Sequence, residues 1–165
     1  MKLDVPDLAG TRRLARALAG LLRAGDLIIL SGELGAGKTT FTQALGEQLG
    51  VRAGIISPTF VLVRIHPSLV GGPDLVHVDA YRLASAAEID DIDLENTMDV
   101  SVTVVEWGDG RVEHLSDSYL RIRLNRGAAD EAGAAGDADD EPRSIDLMAV
   151  GPRWEGTDFS SLLGS

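Results

Sequence analysis

The sequence predicts an α/β fold in which a mixed central sheet is flanked by helices, and three observations carry that prediction. Short apolar runs rich in β-branched residues, at 27–30, 75–79 and 102–107, read as buried strands. Segments of helical periodicity, at 8–24 and 38–49, alternate with strand signals. Between the first apolar run and the second helix lies a turn with glycines at fixed spacing, Ser31-Gly32-Glu33-Leu34-Gly35-Ala36-Gly37-Lys38-Thr39-Thr40.

That turn fits the pattern G-x-x-x-x-G-K-[ST], with Gly32, Gly37, Lys38 and Thr39 in the defining places. Glycines let the backbone curl until several N–H groups face one concavity, and Lys38 adds a mobile cation for the β- and γ-phosphates. Thr39 brings a hydroxyl for Mg²⁺, and the helix that starts here turns its positive dipole end to the same anion. Glu33, Gly35, Ala36, Gly37, Lys38, Thr39 and Thr40 are therefore expected to surround a bound ATP or ADP. Only two lysines occur in the chain, Lys2 and Lys38, so one of them stands in this motif. Strand, loop and helix in this order make the expected architecture a three-layer, P-loop NTPase-like fold.

The 165 residues are expected to form a single domain, large enough to bury a core without disulfides or a structural metal. There is no cysteine, which excludes a disulfide framework and a thiolate site and fits a reducing compartment. No 18-residue apolar stretch or signal-peptide core is present, so a cytoplasmic protein that does not engage the membrane is expected. The net charge of −11 is unevenly spread: residues 1–82 carry nine basic and seven acidic side chains, 83–165 six and nineteen. A direct, tight grip on nucleic acid needs clustered Lys and Arg, and this balance argues against one.

Along the chain, Lys2 to Val5 reads as a short strand, and Asp7 as the N-cap of a helix from Leu8 to about Ala24, stopped by Gly25-Asp26. Gly50 reads as the C-cap of the P-loop helix. A less regular stretch through Ser57-Pro58-Thr59-Phe60 leads to a strand at 61–65, which is expected to pair as a hairpin with 75–79 across the turn at 67–73. Residues 84–99 are dense in Asp and Glu and read as helical or irregular. The run 102–107 reads as a central strand, and 119–124 and 144–150 as an antiparallel pair. Between that pair, 127–141 is built of Ala, Gly, Asp and Glu and is expected to be a disordered acidic loop. The segment 154–165 adds a short helix or stays irregular.

Two carboxylates close strand runs, Asp79 and Glu106. A buried strand delivers such an acid to the sheet edge where a P-loop also sits, and hydrolysis needs one group to hold Mg²⁺ and one to position water. The spacing alone leaves open which of the two does which. His77 points away from Val76 and Val78 on its strand and reads as structural rather than as a base.

The blocks Gly32 to Thr40, Ser57-Pro58-Thr59-Phe60, His77-Val78-Asp79-Ala80-Tyr81-Arg82-Leu83 and Val105-Glu106-Trp107, in this order, resemble the TsaE (YjeE) family. The resemblance covers about residues 8 to 125. These are small bacterial P-loop ATPases needed for threonylcarbamoyladenosine formation at position 37 of tRNA. The resemblance implies that Thr39 ligates Mg²⁺, that Glu106 completes the metal site, and that Asp79 lies by the γ-phosphate and assists hydrolysis. It places Thr11, in Thr-x-x-Leu-Ala, near the nucleotide, Ser57-Pro58-Thr59 in a switch loop, and Trp107 where it reports on nucleotide occupancy. Tyr81 and Arg82 would form part of a partner-facing or phosphate-sensing surface. It further implies a weak ATPase working as an accessory subunit with TsaD and TsaB, reaching tRNA only through them.

Two other classes share this motif. A small-molecule P-loop kinase needs an arginine-rich lid, and between Trp107 and Tyr119 only Arg111 is found. A nucleotide-dependent switch needs binding but no purposeful turnover. The acidic stretch 127–141 departs from the family pattern and carries no assigned residue. Deleting residues 132–139 is therefore expected to leave ATPase activity unchanged, measured as phosphate release against the full-length chain.

Overall fold

The computed structural model describes residues 1–55, 63–81, 94–127 and 141–164. The elements are β1 (Lys2–Val5), α1 (Leu8–Ala19), β2 (Leu27–Gly32), α2 (Lys38–Leu49), β3 (Val63–His66), β4 (Asp74–Asp79), β5 (Ser101–Glu106), β6 (Tyr119–Arg126) and β7 (Arg143–Val150), with a short helical turn at Glu95–Met98. They build one mixed sheet of seven strands in the order β1-β7-β6-β2-β5-β4-β3. The four inner strands from β6 to β4 run parallel, while β7, β1 and β3 join antiparallel at the two margins.

Burial on both faces explains why β2 reads as a continuous apolar run. Ile28 and Leu30 enter the core beneath α1 and α2, whereas Leu27 and Ile29 enter the opposite core with Val76, Val78, Val105, Met98 and Val112. β5 is buried at all six positions, as a strand between two parallel neighbours should be. β6 keeps the expected alternation, with Leu120, Ile122 and Leu124 fully or almost fully buried, and extends two residues beyond it to Arg126.

The antiparallel expectations hold. Tyr119 to Arg126 pair with Val150 to Arg143, and Val63 to His66 with Val78 to Leu75. The β6–β7 hairpin is closed at its tip end by Gly127 N–H donating to the Pro142 carbonyl at 2.8 Å and by an Arg126–Glu141 ion pair at 2.9 Å. The disordered loop expected at 127–141 falls, apart from those two end residues, outside the described residues. So do the 61–62 start of the β3 run, Ser57-Pro58-Thr59, Arg82 and most of the acidic stretch 84–99.

Helix α1 begins as expected: Asp7 is extended and its Oδ1 accepts from Gly10 N–H at 2.7 Å. It ends at Ala19, however, five residues before the expected Ala24. After Gly20 the chain tightens through i→i−3 bonds, Leu21 N–H to Leu18 O and Leu22 N–H to Ala19 O. The cause lies further along. Asp26, nearly fully buried, accepts from Arg23 N–H at 2.9 Å and is gripped by Arg153, with Nε at 2.9 Å from Oδ1 and Nη2 at 3.0 Å from Oδ2. Arg153 Nη2 also donates to the Leu21 carbonyl at 2.9 Å, so the turn that follows the helix is tied down from far along the chain. Leu21 and Leu22 still pack against the core, which is why their spacing reads as helical. The C-terminal segment forms 3₁₀ turns at Pro152–Trp154 and Ser160–Gly164 rather than an α-helix, with Trp154 and Leu162 buried.

Arg153→Ala strands the Asp26 carboxylate in the interior. The unfolding free energy is expected to fall by about 3 kcal/mol, the cost of breaking a buried pair by removing one partner, as measured by urea denaturation at neutral pH. A loss under about 1 kcal/mol would mean that the pair behaves as a surface contact.

Candidate nucleotide and metal site

The site forms where β2 ends. A Cβ on Gly32 would lie 2.6 Å from the Leu124 carbonyl oxygen, so the chain leaves the strand pressed against β6 at a place only glycine fits. Gly37 closes the loop at φ 104°, with Leu8 3.1 Å from where its Cβ would stand. It is the N-cap of α2, and no side chain caps the N–H groups that follow it. Unsatisfied donors and the positive helix end thus face the same concavity.

Lys38 starts α2 and folds back over the loop. Its Nζ donates to the Gly32 carbonyl at 2.6 Å and to the Glu33 carbonyl at 3.2 Å, and lies 4.8 Å from the Trp107 ring centroid. Burial draws its ammonium below the ordinary lysine value, against the pull of Glu106 and Asp79. Thr39 and Thr40 follow, both half-buried. Glu33, Leu34 and Gly35 form the exposed apex, whereas the Ala36 side chain is in the core, so only its main chain borders the site.

Across from the loop, the parallel register sets Leu30 beside Glu106 and Glu106 beside Asp79. Both acids are more than nine-tenths buried. Asp79 Oδ1 accepts from Tyr81 N–H at 2.9 Å, which leaves Oδ2 for another partner. Glu106 Oε2 lies 3.0 Å from His77 Nε2. Strand alternation places His77 on the face of Asp79, and parallel pairing puts that face beside Glu106. The i, i+2 spacing in the sequence puts His77 on the face of Asp79, and the β4–β5 register supplies Glu106 as its partner.

Trp107 adopts φ 59°, the one positive φ outside glycine among the described residues. Its N–H donates to the Leu30 carbonyl at 3.1 Å and its ring meets Tyr81 edge to face at 5.3 Å. Strain of this kind persists where surrounding contacts over-determine it. Here an ion network holds the loop beyond: Arg121 bridges Asp109 at 3.1 Å and Glu113 at 3.0 Å, and Glu113 also accepts from Gly110 N–H at 2.6 Å. Arg111 is tied to the Ala80 carbonyl. A cavity of about 470 Å³ opens beside the loop, walled by Ser31, Tyr81, Trp107, Arg111 and Arg123.

Thr11 lies in α1, fully buried, with its Oγ1 unpartnered and its methyl 3.9 Å from where a Gly37 Cβ would stand. It therefore borders the loop instead of facing solvent. An orphan hydroxyl, a glycine cradle a Cβ would fill, and uncapped N–H groups suit a phosphate-bearing ligand. Among the described residues no group of three His, Cys, Asp or Glu could hold a metal by itself. A cation here would rest on Thr39, Glu106 and phosphate oxygens, the sparse protein ligation that Mg²⁺ accepts.

With its inner parallel strands, its glycine-cornered loop at the end of β2 and its two acids on the next two strands, the molecule falls in the P-loop NTPase-like class of α/β proteins. The profile of the threonylcarbamoyl adenosine biosynthesis protein TsaE matches residues 5–133, and the chain belongs to the TsaE family. It is 54% identical over 154 residues to the tRNA threonylcarbamoyladenosine biosynthesis protein TsaE of Streptomyces coelicolor, covering 93% of this chain and 99% of that one. To the protein of the same description from Bacillus subtilis it is 34% identical, covering 88% and 83%. The crystal structure of Bacillus subtilis YdiB superposes with a TM-score of 0.69 at 30% identity, covering 94% of this chain and 88% of that one.

Because the Lys38 ammonium sits over the Trp107 ring, a ligand that draws it away should alter indole emission. In a Trp154→Phe variant, in which Trp107 is the sole tryptophan, titration with Mg·ATP is expected to give a saturable fluorescence change. Lys38→Ala in the same background is expected to abolish it.

Proposed function

We propose that this protein is a weak Mg²⁺-dependent ATPase that supports threonylcarbamoyl transfer to adenosine 37 of tRNA as an accessory subunit beside TsaD and TsaB. Membership of the TsaE family supports the role in threonylcarbamoyladenosine biosynthesis. One observation carries the ATPase reading: β4 and β5 end side by side on Asp79 and Glu106, next to the strand whose following residues make the P-loop.

In this reading the N–H groups at the start of α2 bind phosphate oxygens, and Lys38 exchanges the Gly32 and Glu33 carbonyls for the β- and γ-phosphates. Thr39 and Glu106 hold Mg²⁺, which when bound neutralises charge on the phosphates. Asp79, with Oδ1 fixed by the Tyr81 N–H, uses Oδ2 to orient water toward the γ-phosphate. Trp107 and Thr11 border the nucleotide. An acidic chain is a poor tRNA binder, so tRNA is reached through the partners, and the cytoplasm is the working compartment. Among the described residues no helix is long and apolar enough to cross a membrane. A kinase reading has little support, because Arg111, the arginine nearest a lid position, is tied to Ala80.

Lys38→Ala is expected to weaken Mg·ATP binding at least about 100-fold by calorimetry, the loss of about 3 kcal/mol of charge-assisted hydrogen bonding. Unchanged affinity would overturn the site. Asp79→Asn should lower phosphate release about 100-fold or more while affinity stays within about threefold. If that variant still supported full threonylcarbamoyl transfer with purified TsaD and TsaB, the protein would be a nucleotide-dependent switch with incidental turnover.

A further inference from the structure

We infer that His77 is a positioning residue for Glu106, holding one carboxylate oxygen so that the other is presented to the metal; this rests on the proposed role of Glu106. The two side chains meet at 3.0 Å, Nε2 to Oε2, with 0% and 4% of their surfaces exposed. They project from neighbouring strands in the middle of the sheet, where backbone pairing from Asp74↔Ser101 to Asp79↔Glu106 fixes their separation. The imidazole is a rigid body with two torsions, wholly enclosed, so it restrains the carboxylate in rotation as well as position.

The other ring nitrogen settles the proton. Nδ1 is buried and has no hydrogen-bond partner. A proton there would be a buried donor without an acceptor, whereas a proton on Nε2 is shared with the carboxylate. The unpartnered Nδ1 therefore makes Nε2 the nitrogen that donates to Glu106. A donor on one carboxylate oxygen leaves the other to face the loop. Partners of this kind behind a metal ligand commonly account for about 10- to 100-fold in metal affinity.

The test uses the full chain with Mg²⁺ and ATP as probes. His77→Leu removes the donor, and His77→Gln restores an N–H at about the Nε2 position. His77→Asn carries its N–H near Nδ1, too short to reach Glu106. At fixed ATP, the Mg²⁺ concentration for half-maximal binding should rise at least about tenfold in the Leu and Asn variants and stay within about threefold of wild type in Gln. ATP binding in EDTA should be unaltered in all three. Long-range ¹H–¹⁵N correlation spectra of the unmodified protein should show His77 protonated on Nε2 alone, a readout independent of nucleotide and of any variant's folding.

A proton on Nδ1, or equal Mg²⁺ dependence in the Gln and Asn variants, would overturn the assignment. Glu106→Ala separates the two levels. If it abolishes the Mg²⁺ effect while His77→Leu does not, the positioning role alone fails; if it too leaves Mg²⁺ dependence unchanged, the metal role of Glu106 fails and the inference with it.

Discussion

Everything at this site depends on the register of three parallel strands. Leu30, Glu106 and Asp79 stand abreast on β2, β5 and β4, held by backbone hydrogen bonds in the interior of the sheet. A shift of one residue between β4 and β5 would turn the carboxylates to opposite faces, since side chains alternate with a period of two. Apolar residues buried on both faces make such a slip costly, so packing of the core sets the chemistry of its rim. The glycine loop adds the complementary half: it begins at Gly32, where β2 is pressed against the Leu124 carbonyl of β6, which fixes its starting point against the same frame.

The positive and negative groups constrain one another as well. Lys38 is partly buried beside two enclosed acids and over an indole, and it is satisfied by carbonyls of its own loop. An ammonium held by neutral acceptors can exchange them for stronger, charged ones at little structural expense. The loop after Glu106 is kept in an unfavourable backbone conformation at Trp107 by Tyr81 on one side and the Arg121 network on the other. The aromatic rim is thus a built part of the site and not a fraying strand end.

The inner strands and the start of α1 were legible because local signals decide them: continuous apolar runs for β2 and β5, and an Asx cap at Asp7. The motif likewise carried its own geometry, since Gly32 and Gly37 occupy positions that admit no other residue. What could not be read was non-local. Helix α1 stops early because Arg153 and Asp26 meet across the molecule, a contact that periodicity does not encode. Thr11 is placed near the loop by resemblance alone, since its position in the helical pattern does not show that its hydroxyl is enclosed. His77 was placed on the correct face of its strand, but its partner depends on the neighbouring strand's register.

The grip of Arg153 on Asp26 also bears on how the molecule is made. The residue that ties down the entrance to β2 is synthesised 127 positions after the one it holds, and β6, the other flank of β2, begins only at Tyr119. A nascent chain that has exposed its glycine loop therefore lacks both the neighbour and the anchor that give the loop its shape. The frame around the loop is therefore assembled from segments made well after the loop itself.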